Sequence, residues 1–433
     1  MHRNRFPTLW LPLFLFFFFV ALSPGRIIAF DVAVRAEIAR ALWTRGSVFL
    51  PPPSEVESGL VHVPHQTGGT SFYGIGQSLV FIPFDMAGQA LAKTHAATSR
   101  WLQQIPLALF YPAAIGVFWW AGLVCLLGSL GFNARRARIA AAVFSLASIA
   151  LHYSSESAQE EALVGALAVF ALHFWIEALR TNRRHPARWA GACAAACLLV
   201  RLNSFWILLP LLGATFDGVR KGKPLFSRLA AGVLEGAAPV LGVLFLFAWW
   251  RFGSPLATGY HLAAEQGKGV FWASFQPQIF WGLLFGPGKG LFTLSPLFLF
   301  VFLGVAEAAR RFPAYTLATL LSWVGSVAMC AFILNNPDGS ESWGARYQIH
   351  LLAPAFFIAW LGWEKFYAAV PRLATVFLGL CFFQQLTSVV APDSIEYIQN
   401  DEAKLPRSEL LTGFSTGQWG RRLSNTRLWL QGK

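Results

Sequence analysis

Two acidic clusters and three basic positions stand where chemistry is expected. Asp31 directly follows the first apolar run, in Phe30-Asp31-Val32-Ala33-Val34-Arg35. Glu160 and Glu161 open a later run, after Tyr153-Ser154-Ser155-Glu156-Ser157. Unpaired carboxylates at the edge of hydrocarbon are costly and mark functional sites by default. Two such clusters on one side of a membrane could converge over a cavity as a base, a metal pair or both. Each also has a plainer, local reading. A carboxylate at a helix start accepts backbone N–H bonds and suits the dipole, which makes Asp31 an N-cap. The two roles are compatible.

Opposite charge is at hand. Arg201 sits between two short apolar runs, Lys289 in Gly286-Pro287-Gly288-Lys289-Gly290, and Arg346 in Ser342-Trp343-Gly344-Ala345-Arg346-Tyr347. Any one of them could snorkel to lipid headgroups. Together they supply donors suited to a phosphate or pyrophosphate at a membrane surface. The glycines around Lys289 do not make a nucleotide P-loop, because the GxxxxGK[ST] spacing and a preceding strand are missing. His62-Val63-Pro64-His65 is too short a pattern for a metal site, and no nucleophile elbow supports a serine hydrolase.

The elements that must hold these residues are membrane helices. The chain has 433 residues, 55% hydrophobic and only 13% charged, where soluble domains carry about 25% charged residues. Its apolar residues gather in blocks of the length that spans a bilayer. The net charge of +13 does not point to nucleic acid, because the basic residues punctuate the apolar blocks instead of forming one stripe. Cys125, Cys193, Cys197, Cys330 and Cys381 all lie in apolar stretches and read as packing residues, with no disulfide framework.

Residues 1–29 read as a membrane anchor. Ala21-Leu22-Ser23 would tolerate signal cleavage, but the run continues through Ile27, Ile28 and Phe30, beyond a signal core. A long polar loop, 30–100, comes next. It begins as an amphipathic helix to about Arg45, turns through Pro51-Pro52-Pro53 and ends in Ser71-Phe72-Tyr73-Gly74-Ile75-Gly76-Gln77-Ser78-Leu79. A loop of this length is functional or disordered, and its aromatics and periodicity favour function. Further spans are expected at 101–132, 139–153, 161–179, 189–200, 203–216, 229–250, 291–309, 314–334, 347–363 and 373–391. With the anchor they make about eleven transmembrane helices. The domain 101–391 is thus polytopic, and 392–433 forms a tail. Runs 189–200 and 203–216, parted only by Arg201-Leu202, form a helical hairpin. Alternating sides from an inside N-terminus gathers half of the 34 Lys and Arg into short inner loops, as orientation in membranes requires. The long loop, Ser154–Glu161, Arg201, 251–290, 335–346 and the tail then lie outside.

The order of these features resembles the GT-C superfamily of polytopic glycosyltransferases, especially bacterial relatives of protein O-mannosyltransferases and aminoarabinose transferases. An acid opens the first loop, and Tyr73-Gly74-x-Gly76-Gln77-Ser78 precedes an apolar stretch. A second acid begins a helix in Glu161-Ala162-Leu163, and Leu199-Val200-Arg201 lies at a helical hairpin. Gly253-Ser254-Pro255-Leu256-Ala257-Thr258-Gly259-Tyr260, Gly286–Leu291 and Trp343-Gly344-x-Arg346-Tyr347 add to the likeness, which extends to about Val390. The second acid departs from the pattern, being Glu where relatives commonly carry Asp.

The resemblance implies an all-α, GT-C-like membrane bundle. It implies transfer of a sugar from a polyprenyl-phosphate donor to a glycan, lipid or protein acceptor on the outer face of the cytoplasmic membrane. In that frame Asp31 and Glu161 are the catalytic carboxylates. Tyr73, Gln77, Glu160, Arg201, Lys289, Arg346 and Tyr347 are the substrate contacts. A divalent metal ion at the paired carboxylates stays open, and no other cofactor is called for. The rival readings are a transporter or flippase for a lipid-linked glycan, and a non-catalytic assembly subunit. Against transport, no inverted repeat is visible and the polar residues concentrate in outer loops instead of at mid-bilayer.

Overall fold

A chain this apolar has no water in a bilayer to satisfy its backbone, so its hydrogen bonds must close within helices. The computed structural model, which describes residues 7–52, 54, 56–64, 66–94, 99–156, 158–222, 227–267, 274–332 and 345–390, is built that way. Helices α1 (Pro7–Leu22) and α2 (Phe30–Arg45) precede a hairpin of β1 (Leu60–His62) and β2 (Gly69–Ser71). Then come α3 (Gly76–Ala92), α4 (Ser99–Ile105), α5 (Tyr111–Ser129), α6 (Ala134–Ala147) and α7 (Ala150–Ser155). The centre of the chain forms α8 (Glu160–Thr181), α9 (Arg184–Val200), α10 (Leu208–Arg220) and α11 (Ser227–Phe252). Short α12 (Gly259–Glu265), α13 (Pro277–Phe285) and α14 (Leu291–Leu294) lead to α15 (Val301–Arg311), α16 (Pro313–Ala331), α17 (Ile349–Ala369) and α18 (Pro371–Val390).

Each of the eleven expected apolar runs holds helix, although residues 23–29 and 130–132 lie outside any helix. Among the described residues, six helical stretches are long and apolar enough to cross a membrane: Trp101–Ser129, Glu160–Thr181, Leu202–Arg220, Arg228–Phe252, Pro313–Ala331 and Pro371–Val389. The chain is an all-α, multi-pass membrane protein. Two of the expected spans are broken. Run 139–153 parts at Ser148, between α6 and α7, and run 291–309 parts at Ser295-Pro296. The breaks meet, for the Ile149 N–H freed at one donates to Ser295 Oγ at the other (3.0 Å). Irregular backbone survives inside a bundle only with such partners.

Small residues let the helices approach. Gly191 of α9 faces the Val233 carbonyl of α11, and Gly236 of α11 faces that of Arg188. Gly304 of α15 lies against the Ile358 carbonyl of α17, and Gly362 against that of Phe300. A Cβ at any of these would meet opposing backbone, the small-residue packing that substitutes for a hydrophobic drive in lipid. Asp217, at the end of α10, accepts the backbone N–H groups of Ala314 (3.0 Å) and Tyr315 (2.9 Å), so it caps α16 from another helix. Helix α17 is buried all round from Ile349 to Trp363, and α8 runs through the same core. Helix α1 packs in too: Leu15 and Phe19 are fully buried, and Ser23 Oγ donates to the Ala108 carbonyl (2.9 Å).

The first long loop has a core of its own, formed by Val34, Ile38, Ala41, Val48, Leu50, Val56, Leu60 and Ile75. Helix α2 ends at Gly46 in the left-handed conformation (φ 60°), with its N–H bonded back into the last turn. Buried Asp85 of α3 ties the two helices by accepting from Arg40 (2.9 Å) and Trp43 (2.7 Å). The sequence reads this loop as partly helical, and the antiparallel hairpin pairing Leu60 with Ser71 and His62 with Gly69 is an addition. Three-residue strands are too short to show alternation in sequence. The tail beyond 390, residues 1–6 and the Trp343-Gly344 portion of the motif before Arg346 lie outside the described residues.

Candidate active site

The N-termini of α2 and α8, the C-terminus of α9 and the approach to α17 converge at the end of the bundle that carries the hairpin. Asp31 and Glu160–Glu161 belong to the first turns of α2 and α8, and Arg201 is the residue that follows α9. These placements match acid to helix N-terminus and base to C-terminus. Asp31 does not cap its helix. Ala29 occupies the cap position, and no side-chain cap bond forms. The cap expectation fails because the Asp31 carboxylate is taken by charged partners from elsewhere.

Those partners close a ring of alternating sign. Asp31 pairs with Arg346, and Arg346 Nε donates to Glu161 Oε1 (2.5 Å). Glu161 pairs with Arg201, whose guanidinium also meets Glu160 (3.0 Å). Glu160 pairs with Arg35, and Arg35 returns to Asp31 one turn earlier on α2 (3.3 Å). Three carboxylates and three guanidiniums therefore sum to zero formal charge. None of the six is more than 9% exposed.

Aromatic faces cover two of the cations. The Arg35 guanidinium lies over the Tyr73 ring (4.2 Å) and that of Arg201 over Tyr347 (4.6 Å). Gln77 stays out of the ring and braces it, its amide donating to Tyr111 Oη (3.1 Å) and to the Ala158 carbonyl (2.6 Å) just before α8. Lys289 is buried in the turn between α13 and α14. Among the expected site residues, Asp31, Glu160, Glu161, Arg201 and Arg346 thus share one ring, with Tyr73 and Tyr347 against it.

Electrostatics favour the charged forms of Asp31, Arg201 and Arg346. Burial alone would raise the Asp31 carboxyl, but the Arg346 and Arg35 guanidiniums outweigh it and hold Asp31 well below the usual carboxylate range. Burial likewise works against the charges of Arg201 and Arg346, and the neighbouring acids overcome it. A carboxylate whose folded value is depressed adds stability above its unfolded value, near 3.8, and loses it only as pH falls through the folded one. At neutral pH Asp31 is therefore ionised. The same pairing makes Asp31 a weak base until a guanidinium moves away.

A resident divalent ion does not fit this donor set. Among the described residues no three His, Cys, Asp or Glu side chains converge to hold a metal, and each ring carboxylate already faces guanidinium. Sequence reasoning missed Arg35, although its i,i+4 spacing from Asp31 on a helix was a usable signal. It also missed Arg251, buried at the end of α11 and bonded to the Tyr73 carbonyl (3.1 Å).

No family model and no characterised protein sequence matches the chain. Among solved structures, the oligosaccharyltransferase of Archaeoglobus fulgidus, tethered to an acceptor peptide containing an NVT sequon, is similar in fold with a TM-score of 0.47 at 14% identity. The match covers 95% of this chain and 56% of the archaeal protein, so this chain spans about half of that protein's length.

Proposed function

We propose that the chain is a GT-C-type membrane glycosyltransferase. It moves a sugar from a polyprenyl-phosphate-linked donor to a hydroxyl of a glycan, lipid or protein acceptor. The observation that carries this reading is the buried ring of three carboxylates and three arginines. Desolvation offsets most of the attraction within buried ion pairs, so such groups add little net stability. Charges kept at this cost at the end of a membrane bundle are expected to act on a substrate.

The short basic segments Arg135–Arg138, Arg183–Arg184 and Arg310–Arg311 support an orientation with those loops in the cytoplasm. Helix α8 carries the ring at one end and the second of these segments just beyond the other. The ring then sits at the outer surface of the cytoplasmic membrane, level with a lipid phosphate.

The chemistry follows from the ring's balance. An arriving donor phosphate offers Arg346 a second anion. As that guanidinium turns to the phosphate it stabilises the leaving group, and Asp31 regains basicity. Asp31 orients the acceptor hydroxyl and takes its proton while the oxygen attacks the anomeric carbon. The bond from that carbon to the phosphate oxygen breaks, and its electron pair leaves on the phosphate. Glu161, still held by Arg201, positions the sugar.

The test is transfer from a panel of radiolabelled polyprenyl-phosphate sugars by purified, folded protein. Asp31→Asn should lower turnover by about 10²–10⁴-fold, the usual contribution of general acid–base catalysis. Near-wild-type transfer by both Asp31→Asn and Glu161→Gln would overturn the assignment.

A further inference from the structure

Four arginines are buried among the described residues: Arg35, Arg201, Arg251 and Arg346. Three belong to the ring and are matched there by three carboxylates. Their charge is therefore spent within the ring at rest. Arg251 is different. It lies in the last turn of α11, 5% exposed, without a carboxylate partner among the described residues. Its Nε donates to Thr70 Oγ1 of β2 (3.3 Å) and one terminal nitrogen to the Tyr73 carbonyl (3.1 Å). The other terminal nitrogen is buried with no hydrogen-bond partner. A buried cation normally has a counter-charge, and a stranded donor on it costs its full desolvation.

The surroundings say what would supply that counter-charge. Tyr73 holds Arg251 by its carbonyl and covers Arg35 of the ring with its side chain, so Arg251 is one residue removed from the ring. In the other direction the helix turns apolar and faces outward. Leu246, Phe247, Trp249 and Trp250 line an open hollow of about 460 Å³, and Trp249 is 61% exposed. Aromatic residues at a helix end mark the level of the headgroups. An exposed apolar hollow whose lining ends one residue before an uncompensated buried cation on the same helix fits a ligand with a hydrocarbon tail and an anionic head.

We infer that Arg251 binds the phosphate of the polyprenyl-phosphate donor, with the first isoprene units lying along Leu246–Trp250 of α11. This deepens the proposed function and rests on it only for the identity of the tail. A guanidinium keeps its charge when buried and is weakly hydrated, which suits it to a phosphate. Thr70 and Tyr73 fix its plane in advance, leaving one terminal nitrogen for the ligand. Arg251 then receives the arriving phosphate first, and Arg346 turns to it from the ring, which frees Asp31.

The experiment is photocrosslinking in detergent with a diazirine-bearing polyprenyl phosphate, with the labelled peptide mapped. Labelling should fall on the peptide containing Leu246–Trp250. Polyprenyl phosphate should compete it away, whereas the uncharged polyprenol and inorganic phosphate at the same concentration should not. Arg251→Gln keeps a donor for the Tyr73 carbonyl and should weaken polyprenyl-phosphate binding about ten- to a hundredfold, the worth of a charged hydrogen bond. Arg251→Lys should recover part of it. Competition by polyprenol as strong as by polyprenyl phosphate, on the wild-type protein alone, would overturn the inference. So would unchanged binding in a folded Arg251→Gln variant. Arg251-dependent binding without detectable transfer of any sugar would instead sink the glycosyltransferase reading and leave this site standing.

Discussion

If the six charges act as one electrostatic unit, removing a cation and an anion together should cost less than the two losses added. Arg346→Gln leaves three carboxylates facing two guanidiniums in a site where no member is more than 9% exposed. Removing one partner from a buried pair costs about 3–5 kcal/mol, because the remaining charge is stranded. Arg346 serves both Asp31 and Glu161, so its loss belongs at the upper end, about 5 kcal/mol. Asp31→Asn strands positive charge instead. Arg35 keeps Glu160 and Arg346 keeps Glu161, which puts its cost at about 3 kcal/mol. Independent losses would sum to about 8 kcal/mol, most of an ordinary protein's stability. The double variant, with two acids and two arginines, is neutral again and should be about 2–3 kcal/mol more stable than that sum. Denaturant unfolding of the four detergent-solubilised proteins at pH 7 completes the cycle. The bidentate pair Arg136–Glu364, largely in solvent at 49% and 28% side-chain exposure, is the control and should couple by less than about 1 kcal/mol. Additivity within about 0.5 kcal/mol at the ring, the margin seen for independent sites, would refute the argument.

Three further outcomes are expected. With the basic loops inside, Lys221→Cys should resist a membrane-impermeant thiol reagent in sealed cells while His62→Cys reacts, and the reverse pattern would invert the orientation. Asp217→Ala should destabilise by about 1–2 kcal/mol, as loss of a helix cap does, and a neutral result in unfolding measurements would mean that water replaces the carboxylate at Ala314 and Tyr315. Chelation with EDTA should leave sugar transfer unchanged, because guanidinium groups already face the ring carboxylates. Loss of transfer with rescue by a divalent ion would show that the ring is rebuilt around a metal during turnover.

The apolar runs were legible because each helix must satisfy its own backbone in lipid, and hydropathy registers that constraint directly. The limits of α2 and the turn at Arg201 were legible for similar local reasons: Gly46 ends the one, and a lone arginine between two apolar runs marks the other. Asp31 shows where locality stops. Its sequence position fits a cap, and only the fold reveals that Arg346, far along the chain, takes its side chain. Arg35 was hidden for a related reason, since on an amphipathic helix an arginine reads as a solvent-facing charge. The break at Ser295 had a local signal in Pro296, which cannot continue a helix, whereas the break at Ser148 had none, since its freed Ile149 N–H finds a partner only in distant Ser295.

The ring also sets an order for the making of the protein. Asp31 and Arg35 emerge together on α2, one turn apart and already balanced. The next ring members to be synthesised, Glu160 and Glu161, leave the nascent bundle with two negative charges at the head of α8. Arg201 removes one. The other persists through the synthesis of α10 to α16, until Arg346 emerges just ahead of α17. Until then the growing chain holds a carboxylate that cannot be dehydrated cheaply, so the end of the bundle must stay hydrated or lean on the insertion machinery. Helix α17, buried all round from Ile349 to Trp363, closes the core as its leading arginine settles the charge. Packing and neutralisation are thereby completed by the same late-arriving segment.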